Sequence, residues 1–289
     1  MSAINFCKFH GFGNDYIVIK RENIDSAILL SELAKNICHR HTGAGADGIA
    51  VLERLSGGEA DYFCEIVNPD GSYAGFSGNG TRCAAAFLHY KQLWTNKNLR
   101  LETRSGVKNY GLIEAVSTGH YIFEAEIGKP KFASDEVPVA TKDRLETVID
   151  HQLTINNLTI NDEQVTFSAV NVGNPVACIF VDDFDFDWRA LGKVLETHDM
   201  FPDRANIVFV KVRDRKNIDI RIWERAAGET AASGTCASGT AVLAAFMQKT
   251  TRKVAVHSEG GTTNVHWRDD DEIVITGHAQ FAYYGEWPT

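Results

Sequence analysis

The chain has 289 residues, enough for two domains of ordinary size, and its 44% hydrophobic and 23% charged residues are typical of a protein with a buried core. A formal net charge of −9, without a basic stripe, makes it a poor candidate for a nucleic-acid-binding protein. The N-terminus carries no signal-peptide pattern, and no run reaches the length of a membrane helix. We therefore expect a cytoplasmic protein with neither a nucleic-acid nor a membrane partner.

The six cysteines form no C-x-x-C pair, which indicates reduced, buried thiols rather than a zinc or redox motif. Cys38, His39 and His41 lie close together in sequence, but no second cluster completes a set of four ligands. We expect no bound metal.

Short strand-like runs rich in Val, Ile, Phe and Tyr dominate the chain, and helical patterns are fewer. In chain order, the predicted strands are 16–20, 49–53, 62–67, 121–127, 176–181, 206–212, 218–223 and 272–276. The predicted helices are 31–41, 81–94, 188–198 and 236–248. A polar stretch at 129–141 with two prolines predicts a boundary between an N-terminal lobe, 1–135, and a C-terminal lobe, 136–289, with the last strand a candidate to return to the first lobe.

Two segments resemble each other across the chain. Residues 77–86 (SGNGTRCAAA) and 233–241 (SGTCASGTA) each begin with Ser-Gly and continue as a helix of small residues, 156 positions apart from 77 to 233. A repeat at this spacing predicts two duplicated lobes. Coincidence is the alternative, because Ser-Gly followed by small residues is a common pattern.

The starts of these two helices are candidate anion sites. A helix N-terminus presents unpaired N–H groups and the positive end of the helix dipole, and glycine lets a ligand approach the backbone closely. A pair of such helices favours a small carboxylate or amino acid as the ligand. The alternative is that Ser77 and Ser233 are ordinary N-caps and the glycines serve only helix packing.

The same segments carry a resemblance to the diaminopimelate epimerase family, in the family's order and over nearly the whole chain. In the first half the matching motifs are 8–16 (KFHGFGNDY), 43–48 (GAGADG), 68–72 (NPDGS) and 77–83 (SGNGTRC). In the second half they are 173–175 (GNP), 204–209 (RANIVF), 223–230 (WERAAGET) and 233–235 (SGT).

The resemblance implies an α+β fold of two pseudo-symmetric lobes, each a curled β-sheet around a central helix, with the substrate between them. It implies proton transfer at the α-carbon of an amino acid without a cofactor, as in lysine biosynthesis, and a homodimer, which the family often forms. The implied substrate contacts are Asn14, Asn68, Gly78, Asn79, Asn174, Asn206, Glu224, Arg225, Gly234 and Thr235.

The chain departs from the family at the reacting centre. The family's two catalytic cysteines correspond to Ser77 and Ser233, and a family histidine corresponds to Val176. A thiol ionises near pH 8.5 whereas an alcohol ionises several units higher, so an unassisted serine pair predicts slow epimerisation of diaminopimelate. A serine needs a neighbouring base.

Three functions therefore stay open. The first is an amino-acid epimerase with Ser77 and Ser233 in the catalytic positions. The second is a non-epimerising isomerase that uses a carboxylate as acid and base, with Glu224 or Asp70 as the candidate. The third is an amino-acid-binding homologue without activity.

Overall fold

The computed structural model describes residues 3–154 and 164–288, which form two compact units. The first unit contains residues up to Glu126 together with the chain from Thr276 onward, and the second contains Ile127–Ile275. The chain thus leaves the first unit once and returns to it through its last strand.

The first unit is built mainly of strands. They are β1 (Ala3–Gly11), β2 (Asn14–Lys20), β3 (Ile49–Arg54), β4 (Tyr62–Val67), β5 (Tyr73–Ala74), β6 (Asn98–Thr103), β7 (Gly106–Ser117) and most of β8 (His120–Gly128). Its two α-helices are α1 (Leu30–Ile37) and α2 (Gly78–Tyr90), and a short 3₁₀ turn spans Arg21–Asn23.

The second unit repeats this composition. Its strands are β9 (His151–Thr154), β10 (Gln164–Asn171), β11 (Pro175–Phe180), β12 (Asn206–Asp214), β13 (Asn217–Glu224), β14 (Gly228–Thr230), β15 (Lys253–Ser258) and β16 (Gly261–Trp267). Its helices are α3 (Trp188–Glu196) and α4 (Gly234–Phe246). The final strand, β17 (Ile273–Pro288), begins here and pairs antiparallel with β1 in the first unit.

Strand pairing follows the same scheme in both units. In the first, β1–β2 is antiparallel, β2–β3 parallel, β3–β4 antiparallel, β4–β6 parallel and β6–β7 antiparallel. In the second, β10–β11, β11–β12, β12–β13, β13–β15 and β15–β16 repeat this series in order. The helices fall at the same points of the two series, so the predicted duplication is confirmed as a repeat of topology.

One helix in each unit is buried by the surrounding sheet. Helix α2 packs against β1, β2, β3 and β4, and α4 packs against β10 to β13, β15 and β16. Both helices lack a polar face and consist mostly of small residues, which lets strands approach on several sides. A Cβ added at Gly80 would lie 2.9 Å from both the Tyr16 ring and Ile66. The expected curled sheet around a central helix is therefore present in each unit.

The other two helices are amphipathic and cover hydrophobic clusters. Leu33, Ala34 and Ile37 of α1 pack on β1 to β4, in a cluster that includes Ile17 and Ile49. Helix α3 begins at an Asp187 cap and packs in the second unit's cluster through Trp188 and Leu195.

All twelve predicted elements occur, with different ends. The first helix was predicted to run to 41 but ends at Ile37, because the glycine-containing loop that follows folds back on it. Gly45 N donates to Ile37 O (3.0 Å) and Ala46 N to Cys38 O (3.0 Å), so the loop satisfies the last helical carbonyls. Strand β17 extends far beyond the predicted 272–276. Within the described ranges, no helix has the length and apolar character needed to cross a bilayer.

Candidate active site

Ser77 is the N-cap of α2. Its backbone is extended (φ −137°, ψ 117°), and its Oγ accepts a hydrogen bond from Gly80 N at 3.1 Å. Thr81 Oγ1 donates to Ser77 O at 2.6 Å, which adds a second tie to the first turn. Ser77 is thus an N-cap, and its side chain lies half-buried at the positive end of the helix dipole.

Tyr16, which sequence reasoning did not select, contacts Ser77. Its hydroxyl lies 2.9 Å from Ser77 Oγ, and its ring is buried between β2 and α2. The ring fits only because two neighbours lack side chains: a Cβ at Gly48 would lie 2.7 Å from Tyr16 Cε1, and a Cβ at Gly80 2.9 Å from it. Tyr16, Gly48 and Gly80 all lie within motifs shared with the family, but no local signal in the sequence indicated that the Tyr16 hydroxyl would meet Ser77.

Asn79 is held by a buried arginine. Its Oδ1 accepts a hydrogen bond from the Arg82 guanidinium, and Arg82 Nε donates to His278 O at 2.9 Å. Arg82 is 2% exposed, and burial lowers the pKa of its guanidinium. Because the Asn79 oxygen faces Arg82, the Asn79 NH₂ group is the end of the amide directed elsewhere.

Asn14 and Asn68 are held in turns. Asn14 follows a two-residue turn with positive φ at Phe12 and Gly13, and its amide donates to Asp47 Oδ2 at 2.8 Å. Asn68 donates its amide to Ser72 Oγ at 2.9 Å. The substrate roles predicted for both residues remain hypotheses.

Asp70 is an unsuitable acid/base group. It is exposed, and hydrogen bonds from Ser72 Oγ (2.6 Å) and Ser72 N (2.8 Å) lower its carboxyl pKa. A carboxylate that is already ionised and hydrogen-bonded is a weak base at neutral pH.

Ser233 is the N-cap of α4, with a backbone close to that of Ser77 (φ −145°, ψ 124°). Its hydroxyl donates to Glu224 Oε2 at 3.1 Å, and Thr235 Oγ1 lies 3.3 Å away. Thr230 Oγ1 donates to the other Glu224 oxygen at 2.7 Å. The structure thus brings the predicted residues Glu224, Ser233 and Thr235 together.

Glu224 is a carboxylate in a confined setting. Burial raises its pKa, and the hydrogen bonds from Thr230 and Ser233 oppose that rise. A carboxyl group with a raised pKa is a stronger base once ionised, and it accepts the Ser233 proton in this geometry. The second serine therefore has the neighbouring base that serine chemistry requires.

The turn after β13 is held by Asn206 and Glu196. Asn206 Oδ1 accepts Arg225 N at 2.9 Å, and Glu196 accepts Ala226 N at 2.9 Å. The Arg225 side chain is exposed and donates to Asp203 O at 3.1 Å. Asn206 was predicted to contact substrate; in the structure its side-chain oxygen accepts from Arg225 N and orients the backbone beside Glu224.

Asn174 lies in the turn between β10 and β11, and Val176 lies in β11. Val172 N donates to Asn174 O at 3.2 Å, which closes the turn around Gly173. Val176, at the family's histidine position, is fully buried. It packs closely against α4, since a Cβ added at Gly239 would lie 2.9 Å from Val176 Cβ. Gly78 and Gly234 are the first residues of α2 and α4.

The cysteines inside these helices are core thiols, as expected. Cys83 and Cys236 are fully buried. Burial raises the pKa of Cys83 to about 12 and the pKa of Cys236 well above its ordinary value. Burial therefore favours the neutral thiol at both positions.

The two serines therefore occupy equivalent positions with different chemistry. Glu224 ends β13 nine positions before Ser233, and the corresponding position before Ser77, after β4, is Asn68. In the first unit the hydroxyl beside the serine comes from Tyr16. One serine contacts a phenol and the other a carboxylate.

Comparison with known proteins supplies the relationship. The sequence model of the diaminopimelate epimerase family matches residues 6–132 and 168–282. The diaminopimelate epimerase of Caldanaerobacter subterraneus subsp. tengcongensis is 36% identical over 98% of this chain and 99% of its own length. Diaminopimelate epimerase 2 of Nostoc sp. PCC 7120 is 36% identical over 99% and 96%.

The fold is shared with solved structures of low identity. A hydroxyproline epimerase from Agrobacterium vitis superposes with a TM-score of 0.69 at 13% identity, covering 99% of this chain and 92% of that one. The sequence matches support an isomerase of the epimerase type, and the structural match supports the α+β architecture. The chain belongs to the diaminopimelate epimerase family.

Proposed function

We propose that this protein is a cofactor-independent amino-acid epimerase whose two proton-transfer positions are Ser77 and Ser233, with diaminopimelate as the first substrate to test. The observation that supports it best is the hydrogen bond from Ser233 Oγ to Glu224 Oε2 at 3.1 Å. That contact answers the main chemical objection to a serine in a thiol position, which is the high pKa of an alcohol.

We assign removal of the substrate α-proton to Ser233 and its partner Glu224. As Ser233 Oγ takes the α-proton, Glu224 takes the proton of the Ser233 hydroxyl, so no free alkoxide has to form. The negative charge that develops on the substrate is delocalised into its α-carboxylate. Ser77 returns a proton to the α-carbon, and the helix starts at Gly78 and Gly234 bind the α-carboxylate through N–H groups and helix dipoles.

Recognition of the rest of the substrate is assigned to polar side chains in the motifs. We assign it to the amides of Asn14, Asn68, Asn79, Asn174 and Asn206 and to the hydroxyl of Thr235. Arg225 carries an exposed guanidinium, which suits a second carboxylate in a bidentate pair. An amino-dicarboxylate fits this inventory of donors.

The direct test is incubation with LL-diaminopimelate in deuterated water, following the α-proton by NMR. Deuterium should enter the α-position, and Ser77→Cys with Ser233→Cys should raise the rate, because thiols at helix N-termini ionise near neutral pH. The matched control is Ser238→Cys, at a buried position of α4. If the double variant folds and binds but exchanges nothing, diaminopimelate is the wrong substrate.

A second function is favoured by the raised pKa of Glu224. In this alternative Glu224 acts directly on substrate carbon, as the single acid and base of a non-epimerising isomerase. Ser233→Ala separates the two, because it removes the hydroxyl and keeps the carboxylate. Exchange falling about 10²-fold or more supports the serine mechanism, and exchange within about threefold of the parent supports direct action by Glu224.

We also propose a homodimer, a cytoplasmic location and a role in lysine biosynthesis, each supported by the family relationship alone. Light scattering after size-exclusion chromatography tests the first. Growth of a strain that lacks its epimerase, with and without this gene, tests the last.

A further inference from the structure

The contact between Tyr16 and Ser77 gives the first serine a partner that the proposed function does not use. The hydroxyl oxygen of Tyr16 lies 2.9 Å from Ser77 Oγ, across 61 positions of sequence. The tyrosine ring is buried in a space left by Gly48 and Gly80, so the phenol has little freedom to turn away.

The remaining contacts of Ser77 leave its proton available. Ser77 Oγ accepts from Gly80 N at 3.1 Å, and Thr81 Oγ1 contacts the Ser77 carbonyl rather than its side chain. A hydroxyl has one proton to donate and two lone pairs to accept with. One lone pair of Ser77 Oγ accepts the Gly80 N–H, and the other can accept from the Tyr16 hydroxyl. The Ser77 proton is then available to a substrate.

We infer that Tyr16 is a positioning residue that resupplies the proton Ser77 delivers, an inference that rests on the proposed function. When the Ser77 O–H bond breaks and a C–H bond forms at the substrate carbanion, the Tyr16 O–H bond breaks and its proton moves to Ser77 Oγ. The products are a neutral serine, a protonated α-carbon and a tyrosinate. The reverse step returns each proton to its starting atom.

A phenol suits this role better than a second alcohol. A tyrosine phenol ordinarily ionises near pH 10, several units below an alcohol, and each unit is a tenfold difference in the population of the ionised form. Passing the charge to Tyr16 avoids a free alkoxide at Ser77. The Gly80 N–H and the start of α2 stabilise the negative charge as it crosses Ser77 Oγ.

The inference also explains why two serines in equivalent positions have different partners. Glu224 accepts the proton of the Ser233 hydroxyl, and the inference makes Tyr16 the neutral donor to Ser77. The second unit thus pairs its serine with a proton acceptor, and the first unit pairs its serine with a proton donor.

The first experiment requires no substrate. Ser77→Cys introduces a half-buried thiol into a chain whose six native cysteines are all buried, so iodoacetamide reports on the new thiol. Adding Tyr16→Phe removes a donor to the thiolate and keeps the ring. The midpoint of the alkylation rate against pH should rise by about one unit or more. Tyr73→Phe, which alters an exposed tyrosine four positions away, is the matched control and should leave the midpoint unchanged.

The second experiment measures exchange of the α-proton in a double-mutant cycle. Tyr16→Phe should lower exchange by about 10²-fold when position 77 is serine, and by less than about threefold in the Ser77→Cys background, because a thiol needs no relay. An equal loss in both backgrounds would assign Tyr16 a purely structural role and overturn the inference.

The two outcomes separate this inference from the proposed function. An unshifted alkylation midpoint overturns the role of Tyr16, whatever the exchange data are. A shifted midpoint in a protein that exchanges no amino-acid α-proton overturns the proposed function.

Discussion

At the scale of single residues, the chemistry of the candidate site depends on what each serine contacts. Ser233 donates to a partly buried carboxylate, and Ser77 pairs with a phenol. Both serines are also N-caps, so their backbones are held by the helices they begin. A side chain fixed in this way needs little reorganisation before it exchanges a proton.

We expect Glu224 to give the profile of α-proton exchange against pH an acid limb, that is, a fall in rate at low pH. Burial raises its pKa, so exchange should fall as the pH drops through a value above the ordinary range of a glutamate. Glu224→Gln should abolish this limb and lower the rate by about 10²-fold or more. Because burial raises the pKa of Glu224 in the folded state, the free energy of unfolding falls as the pH rises through that pKa. Glu224→Gln should therefore be at least as stable as the parent at pH 8.

The matched control for that prediction is Glu229→Gln, which alters an exposed glutamate on the neighbouring strand β14 that pairs with Arg189 of α3. It should leave the pH profile of exchange intact. Loss of the acid limb in this control would show that the limb does not report on Glu224.

Asp15 predicts acid sensitivity of the fold. Burial raises its pKa, but hydrogen bonds from Arg40 and Lys8 outweigh burial and lower it to about 2. Its stabilising contribution is full above its unfolded pKa and is lost as the pH falls through about 2. Asp15→Asn should remove roughly 2 kcal/mol at neutral pH and flatten the decline in unfolding free energy below about pH 5. Urea titrations across pH measure this, and Asp25→Asn, at an exposed position with a local contact, should change neither value.

At the scale of elements, α2 and α4 explain how the site is held. Each is a helix of small residues enclosed by strands, so the position of its first turn is set by packing along its whole length. Close packing transmits a change in the middle of the helix to its N-terminus. The serines are therefore sensitive to substitutions far from the chemistry.

Gly239→Ala tests this sensitivity. The added Cβ would lie 2.9 Å from Val176 Cβ and 3.1 Å from both of its γ-carbons, in a fully buried contact between α4 and β11. Thermal unfolding should show a loss of about 1–3 kcal/mol, although alanine is the better helix former. Val176→Ala in the same chain should recover part of it. Gly57→Ala, where nothing lies within 4 Å of the added atom, should be neutral, and an equal loss there would contradict the packing argument.

At the scale of the whole molecule, two units share one topology but not one chemistry. The same order of antiparallel and parallel pairs encloses a helix in each, and the helix begins at an equivalent serine. The repeated topology thus gives two equivalent helix starts. They differ chemically because the position that is Glu224 in the second unit is Asn68 in the first, where Tyr16 contacts the serine instead. A substrate held by such helix starts should bind to the folded chain and not to the unfolded chain.

Ligand binding should therefore raise thermal stability. At 100 times its dissociation constant, a bound amino-dicarboxylate should add about 2.7 kcal/mol to the free energy of unfolding. A thermal-shift panel of amino acids, led by diaminopimelate, measures this, and Arg225→Gln should reduce the shift for dicarboxylates more than for monocarboxylates. No shift with any amino acid would contradict a retained amino-acid site.

The sequence by itself determined the family, twelve of the elements and the two Ser-Gly segments at which α2 and α4 begin, because motifs, hydrophobic periodicity and N-caps are local signals. The periodicity placed the two helices at 81–94 and 236–248, whereas they begin at Gly78 and Gly234. Nine of the seventeen strands in the described residues were not predicted. Strand β7 is one of them, because it is largely exposed and shows little alternation. Only the tertiary structure decided which groups meet, since Tyr16 reaches Ser77 across 61 positions and Glu224 reaches Ser233 after the turn into β14. Such contacts depend on strand register and on the space that Gly48 and Gly80 leave, and neither is encoded in any single segment.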